Sequence, residues 1–191
     1  MDEAKIIKKA QAYLKHSPID SVHDYNHHKN VARNCQMIIE AEHLDIDFEL
    51  LNIAAWWHDM ETQQGATNLL KRAMKEYEFS EKKIAIVISI INSHTYGKKQ
   101  FELESQVLFD ADKMEYFNPE RMMRALEDTK IGKLSTVILR KHTVSWLQRH
   151  QKVLDSLNFK YSKKIALDNL AETKHKIDQI SVFLENHIIT R

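Results

Sequence analysis

Apolar residues recur along most of this chain at intervals of three and four, the period of a helix with one buried face. The first such segment runs from about Asp2 to Lys15 and stops before "HSPID". A second begins near Asp24, carries Val31, Cys35, Ile38 and Ile39 on one face, and ends near Glu42. Asp47 is a suitable N-cap for a third, which runs through Leu51, Ala54, Ala55 and His58. A shorter helix follows Gly65, from Thr67 to Tyr77. Ser80 with Lys83 forms half a capping box ahead of "SEKKIAIVISIINSH", which reads as a buried helix stopped near Gly97. Then come "ESQVLFDADKMEYF", a helix opened by Pro119, and two long segments, Lys133 to Leu157 and Ser162 to His187. Met74, Met122 and Met123 sit where core filling is expected.

Punctuation is scarce. Three Gly and two Pro in 191 residues cannot supply the tight turns of an all-β domain. The pattern predicts an all-α bundle. With no repeat, linker or low-complexity tract, residues 1–191 are expected to form one domain.

Charge narrows the partners. Lys plus Arg is 28 and Asp plus Glu is 27, a net charge of +1, so no basic field points to nucleic acid. The single Cys35 excludes an internal disulfide and fits a reducing compartment. The amphipathic N-terminus lacks the apolar core of a signal peptide, and no run approaches the roughly 20 apolar residues that span a bilayer. A soluble cytoplasmic protein without a membrane partner is the expectation.

Histidine is abundant, at 11, and several imidazoles and carboxylates fall on apolar faces. His27 lies one turn before Val31, and His58 continues the stripe of Leu51, Ala54 and Ala55, with Asp59 about 100° further round. His94 continues Val87 and Ile91. In "LFDADKM", Asp110 and Asp112 occupy opposite edges of the apolar arc, and periodicity does not separate them. Each such group, taken alone, needs its own buried partner; one shared cation satisfies them all. Imidazole and carboxylate without thiolate suit Mn, Fe, Co, Ni, Zn or Mg rather than a Cys-rich structural zinc. Two His and two Asp leave positions on a six-coordinate ion for water and substrate, an arrangement fit for Lewis-acid catalysis.

The order "HDYNHHKNVARN", "LLNIAAWWHDM", "INSHTYG", "LFDADKM" resembles the HD superfamily of metal-dependent phosphohydrolases over about Val22 to Phe117. The resemblance implies an HD-type helical bundle with additional helices, about 119–191, packed on that core. Carried over by position, it makes His27, His58, Asp59 and Asp112 the metal ligands. Asp112 is preferred to Asp110 because the family's last ligand sits in "AD", as in "ADKM"; Asp110 remains a candidate for an outer role or a second metal. The earlier doublet, His23-Asp24, precedes the helix that points His27 inward, so Asp24 reads as a capping carboxylate. His28, about 100° from the His27 line, is expected at the surface.

His94 matches the position of an accessory His that contacts phosphate or joins a second metal, with a buried His bonded to a carbonyl as the plainer alternative. Asp59, or Glu61 two residues later, is the candidate proton acceptor. Lys113, and more weakly Arg33, Lys98 and Lys99, are candidates to meet phosphate oxygens. The chain departs from many relatives by having "HDME" where they have "HDIG", and no "GYP" follows, which argues against cyclic-di-GMP cleavage. The function implied is hydrolysis of a phosphate ester or phosphoanhydride in a nucleotide or other small phosphorylated metabolite. A non-catalytic HD domain that binds a nucleotide or protein is the alternative; the long helices after Lys133 would then offer a homodimer surface. A di-iron oxygenase would need His94 and Asp110 as extra ligands.

Overall fold

The computed structural model describes residues 3–16, 22–64 and 67–186, apart from the side chains of residues 61–64 and 67. Nine helices form among them and no strand: α1 (Glu3–His16), α2 (Tyr25–Glu42), α3 (Phe48–Gln64), α4 (Thr67–Glu76), α5 (Glu81–Ser93), α6 (Leu103–Tyr116), α7 (Pro119–Lys130), α8 (Thr136–Ser156) and α9 (Lys160–Asn186). The all-α expectation holds. No helix among the described residues is long and apolar enough to cross a membrane.

Local chemistry sets most boundaries. Asp24 caps α2 by accepting the His27 N–H at 2.8 Å, Asp47 accepts the Glu49 N–H at 3.1 Å ahead of α3, and Ser80 accepts the Lys83 N–H at 3.3 Å ahead of α5. α8 starts later than the Lys133 expected from periodicity. Gly132 takes φ +77°, which folds the chain back so that the Lys133 and Leu134 N–H groups bond Asp128 O, and Ser135 then caps the new helix. The expected helix starts and ends at Asp2, Gly65 and His187 lie outside the described residues.

Two apolar clusters divide the molecule. One gathers α1 to α5 with Val107, Leu108, Ala111 and Met114 of α6; the other gathers α7, α8 and α9 with Phe109 and Phe117. α6 therefore lies between two cores and is buried on nearly every side from Ser105 to Glu115. α3 is the other central helix. It contacts α1, α2, α4, α5 and α6, and Leu50, Leu51, Ile53, Ala54, Ala55, Trp56 and Trp57 are all buried. A helix apolar all round belongs at a centre. The polar residues that end this run are therefore delivered into the interior, between α2 and α6.

Candidate metal centre

Three helices bring their imidazoles and carboxylates to one place. α2 supplies His27 from its first turn, α3 supplies His58 and Asp59, and α6 supplies Asp112. His27 Nε2 lies 3.3 Å from His58 Nε2, 3.2 Å from Asp59 Oδ2 and 3.6 Å from Asp112 Oδ1. His58 Nε2 is 3.2 Å from the same Asp59 oxygen. His94, which caps the C-terminus of α5, joins His58 and Asp112 in a second group whose ligand atoms all lie within 4.8 Å of one another.

The imidazoles are held from behind. His58 Nδ1 donates to Ala55 O at 2.8 Å, and His94 Nδ1 donates to Ile91 O. A nitrogen facing a carbonyl oxygen carries a proton, so in both rings Nε2 is the atom turned to the cluster, and it presents a lone pair there when the ring is neutral. His27 Nδ1 faces Glu115 Oε2 at 3.9 Å, and that carboxylate is held by the amides of Asn30 at 3.2 Å and Asn118 at 2.8 Å. Such outer partners orient ligating histidines and raise their basicity. Lone pairs and carboxylates converging in a buried space, with their protons directed outward, repel one another unless a cation stands between them. The residues present therefore fit a divalent ion.

The electrostatics agree. Burial disfavours the charged form of Asp59, but His58 and His23 outweigh it and hold the carboxyl well below its usual range. Burial likewise opposes ionisation of Asp112; Lys113 beside it, with His27 and His58, pulls its pKa far down. His58 loses less to burial than it gains from Asp59 and Asp112, and its pKa is raised. Burial and the neighbouring His58 lower His94 to about 4, so its ring is neutral at pH 7.

A cavity of about 360 Å³ opens onto this cluster at Asp59, His94 and Asp112. Its wall carries Lys113, His23 from the doublet ahead of α2 and, from elements that local patterns did not connect to the site, Arg121 and His142. Arg121 is anchored by its Nε donating to Val22 O at 2.9 Å. Tyr116 and Trp146 complete the wall where α6 meets α8, joined by the indole N–H donating to Tyr116 O at 3.1 Å. The C-terminal helices thus contribute to the cavity as well as packing on the core.

Two expectations are corrected. His28 is buried, because α3 packs over this side of α2 as well; the surface position expected from its angle does not exist. Asp110 is buried but faces away from the cluster. Its oxygens accept the Asn158 N–H at 2.9 and 3.0 Å, the Asn158 amide at 2.9 Å and the Phe159 N–H at 2.9 Å. It caps the start of α9 from another helix, and it is neither a second-metal ligand nor a spare one. That cap also starts α9 at Lys160, ahead of the expected Ser162.

Among the weaker candidates, Arg33 is exposed, Lys98 bonds Asn92 O at 2.8 Å on the surface, and exposed Lys99 lies over the Phe101 ring. The Glu61 side chain lies outside the described residues. Glu115 was missed by sequence reasoning, although it stands three residues after Asp112 on the same helix. His142 and Arg121 carried no local signal.

No protein-family model matches the chain, and no curated protein does. Solved structures do. A structural-genomics target from Lactobacillus plantarum superposes with a TM-score of 0.72 at 18% identity, covering 95% of this chain and 98% of its own. The Lin1889 protein from Listeria innocua gives 0.69 at 21% identity, covering 95% and 96%. Bacillus subtilis YpgQ, solved in complex with ADP, gives 0.68 at 18% identity, covering 93% and 95%. At these identities the likeness establishes a shared all-helical fold over nearly the whole length of each chain.

Proposed function

We propose that this chain is an HD-type, metal-dependent phosphohydrolase that cleaves a phosphate ester or phosphoanhydride in a nucleotide or another small phosphorylated metabolite. The observation that carries the reading is the convergence of His27, His58, Asp59 and Asp112, with inward lone pairs, at the mouth of a cavity lined by cationic groups. The ADP held by a structure of the same fold supports the nucleotide class.

In this reading His27, His58, Asp59 and Asp112 hold the ion. A divalent cation there supplies Lewis acidity, polarising a phosphoryl oxygen and lowering the pKa of water. Glu115 and the carbonyl of Ala55 keep the Nδ1 protons of His27 and His58 away from the ion. Lys113 and Arg121 face the cavity and offset charge on a phosphoryl group placed between them. His94, neutral and with Nε2 free of its own proton, accepts hydrogen bonds and protons in the same space.

Metal content, measured on protein purified without chelator and after reconstitution with Mn, Co, Ni and Fe, tests the first half. The expected result is one divalent ion per chain. Phosphate release from ADP, other nucleotides and sugar phosphates tests the second. Absence of metal after every reconstitution removes the reading; a loaded protein inert towards the whole panel turns it into a binding module.

The charges also set a pH dependence for the metal-free protein. His58 has a raised folded pKa, so its proton stabilises the fold fully below the unfolded value of about 6.5 and that contribution is lost as pH rises through the folded value. His28 and His94 have lowered values and act in the opposite direction, but only below about pH 6.5, where the unfolded chain takes up their protons. Of these three imidazoles only His58 still contributes above pH 7, and a cation can replace its proton. The rise in melting temperature on adding Mn to chelator-treated protein should therefore be greater at pH 8.5 than at pH 7. Differential scanning calorimetry reads it directly; an equal rise at both pH values contradicts this account.

A further inference from the structure

The cavity wall holds a buried cation with no carboxylate to balance it. Arg121, in the first turn of α7, is only 8% exposed. Its Nε donates to Val22 O, and among the described residues no carboxylate lies within ion-pair distance of its guanidinium. Glu115 is near enough to feel the charge, but Asn30 and Asn118 already hold that carboxylate. Lys113 differs, since it is paired with Asp112. A guanidinium keeps its charge at any working pH, so burying one costs free energy until an anion meets it. Anchoring the Val22 carbonyl takes a single N–H, which a neutral amide would supply without that cost.

The surrounding groups extend the same corner. Val22 leads into His23, whose ring centre is 5.5 Å from that of His27 on one side and 6.3 Å from that of His142 on the other. His142 lies on the inward stripe of α8, three residues after Leu139 and four before Trp146, both buried. Packing alone asks for an apolar side chain on such a stripe. The imidazole there is half-buried and lines the cavity. His23 stands between His142 and the proposed ligand His27, so an anion seated between Arg121 and His142 is not the one at the ion. A cavity of about 360 Å³ is also of the size that encloses a whole small ligand rather than a single phosphoryl group.

We propose that Arg121 and His142 form an anion subsite beyond the metal centre, which takes a second negatively charged group of the substrate, a phosphoryl or a carboxylate group. The guanidinium then stands between two anions, the reacting phosphoryl group on the Lys113 side and the second group on the His142 side, and its fork of donors serves both. His142 adds an N–H to the second group. The subsite selects ligands with two anionic groups a short distance apart over ligands with one. The inference rests on the metal-site reading of the cluster, which sets where the first group binds.

The test uses three phosphonates that resist hydrolysis, titrated calorimetrically into cobalt-loaded protein. Methylphosphonate carries one anionic group; methylenediphosphonate and phosphonoacetate carry two. Cobalt(II) absorption and circular dichroism melts confirm that Arg121→Gln and His142→Leu load and fold as the wild type does. Wild type is expected to bind a two-group probe about 10- to 100-fold more tightly than methylphosphonate, and the tighter of the two identifies the second group as phosphoryl or carboxylate. Each substitution should remove most of that preference while leaving cobalt affinity unchanged. A preference that survives either substitution comes from chelation of the cobalt and overturns the proposal, as does a wild type that shows no preference. A wild-type protein that binds no cobalt takes down the metal-site reading, and this inference with it. Should Arg121→Gln fail to fold, His142→Leu decides alone, because its position is half-buried and the substitution opens no cavity in the core.

Discussion

On the proposed hydrolase reading, Asp59→Asn should abolish phosphate release and weaken cation binding by at least about a hundredfold, with helix content near wild type. Asparagine matches the shape of the side chain but removes the charge and turns one oxygen into a donor. Asp59 Oδ2 is the atom that both His27 Nε2 and His58 Nε2 approach at 3.2 Å, so it stands at the centre of the group. A donor placed there points at two lone pairs and occupies the ion's place. The fold should survive, because Asp59 ends a run of apolar residues that make the core contacts of α3 without it. Atomic emission gives the metal, a phosphate-release assay the turnover, and circular dichroism the fold. Retained turnover in a well-folded Asp59→Asn protein removes Asp59 from the chemistry.

Asp110→Ala has the opposite signature: it destabilises the fold by roughly 2–4 kcal/mol and leaves metal affinity unchanged. Its carboxylate accepts two backbone N–H groups and one side-chain amide where α8 turns into α9. Alanine leaves these donors without an acceptor in a part-buried turn, and the start of α9 loses its cap. For a chain of this size the expected fall in melting temperature is about 5–15 °C. The comparison with Asp112→Asn is the sharpest one available, because the two residues are separated only by Ala111. Metal loss without loss of stability in Asp110→Ala would reverse the assignment of the pair.

That pair shows where sequence reasoning stopped. Helical periodicity marks a residue as inward or outward when one face of a helix meets a core and the other meets water. α6 meets a core on both sides, so the direction of Asp110 and of Asp112 carried no trace in the local pattern. His28 failed for the same reason, since α2 is covered by α3 over a wider arc than its apolar stripe suggested. His142 and Arg121 lie far along the chain from the motif residues, and neither sits in a local pattern that points to a site.

What the sequence determined by itself is what depends on neighbours along the chain. The shortage of Gly and Pro, the three-and-four spacing of apolar residues and the caps at Asp24, Asp47 and Ser80 made the helices and most of their ends. The inward aim of His27, His58 and His94 was legible because each extends an apolar stripe by one turn. The tertiary structure alone decided which carboxylate meets those imidazoles, what backs each of them, and which distant side chains wall the cavity. These are relations between helices, set by how several apolar faces pack together at once, and no window of a single helix contains them.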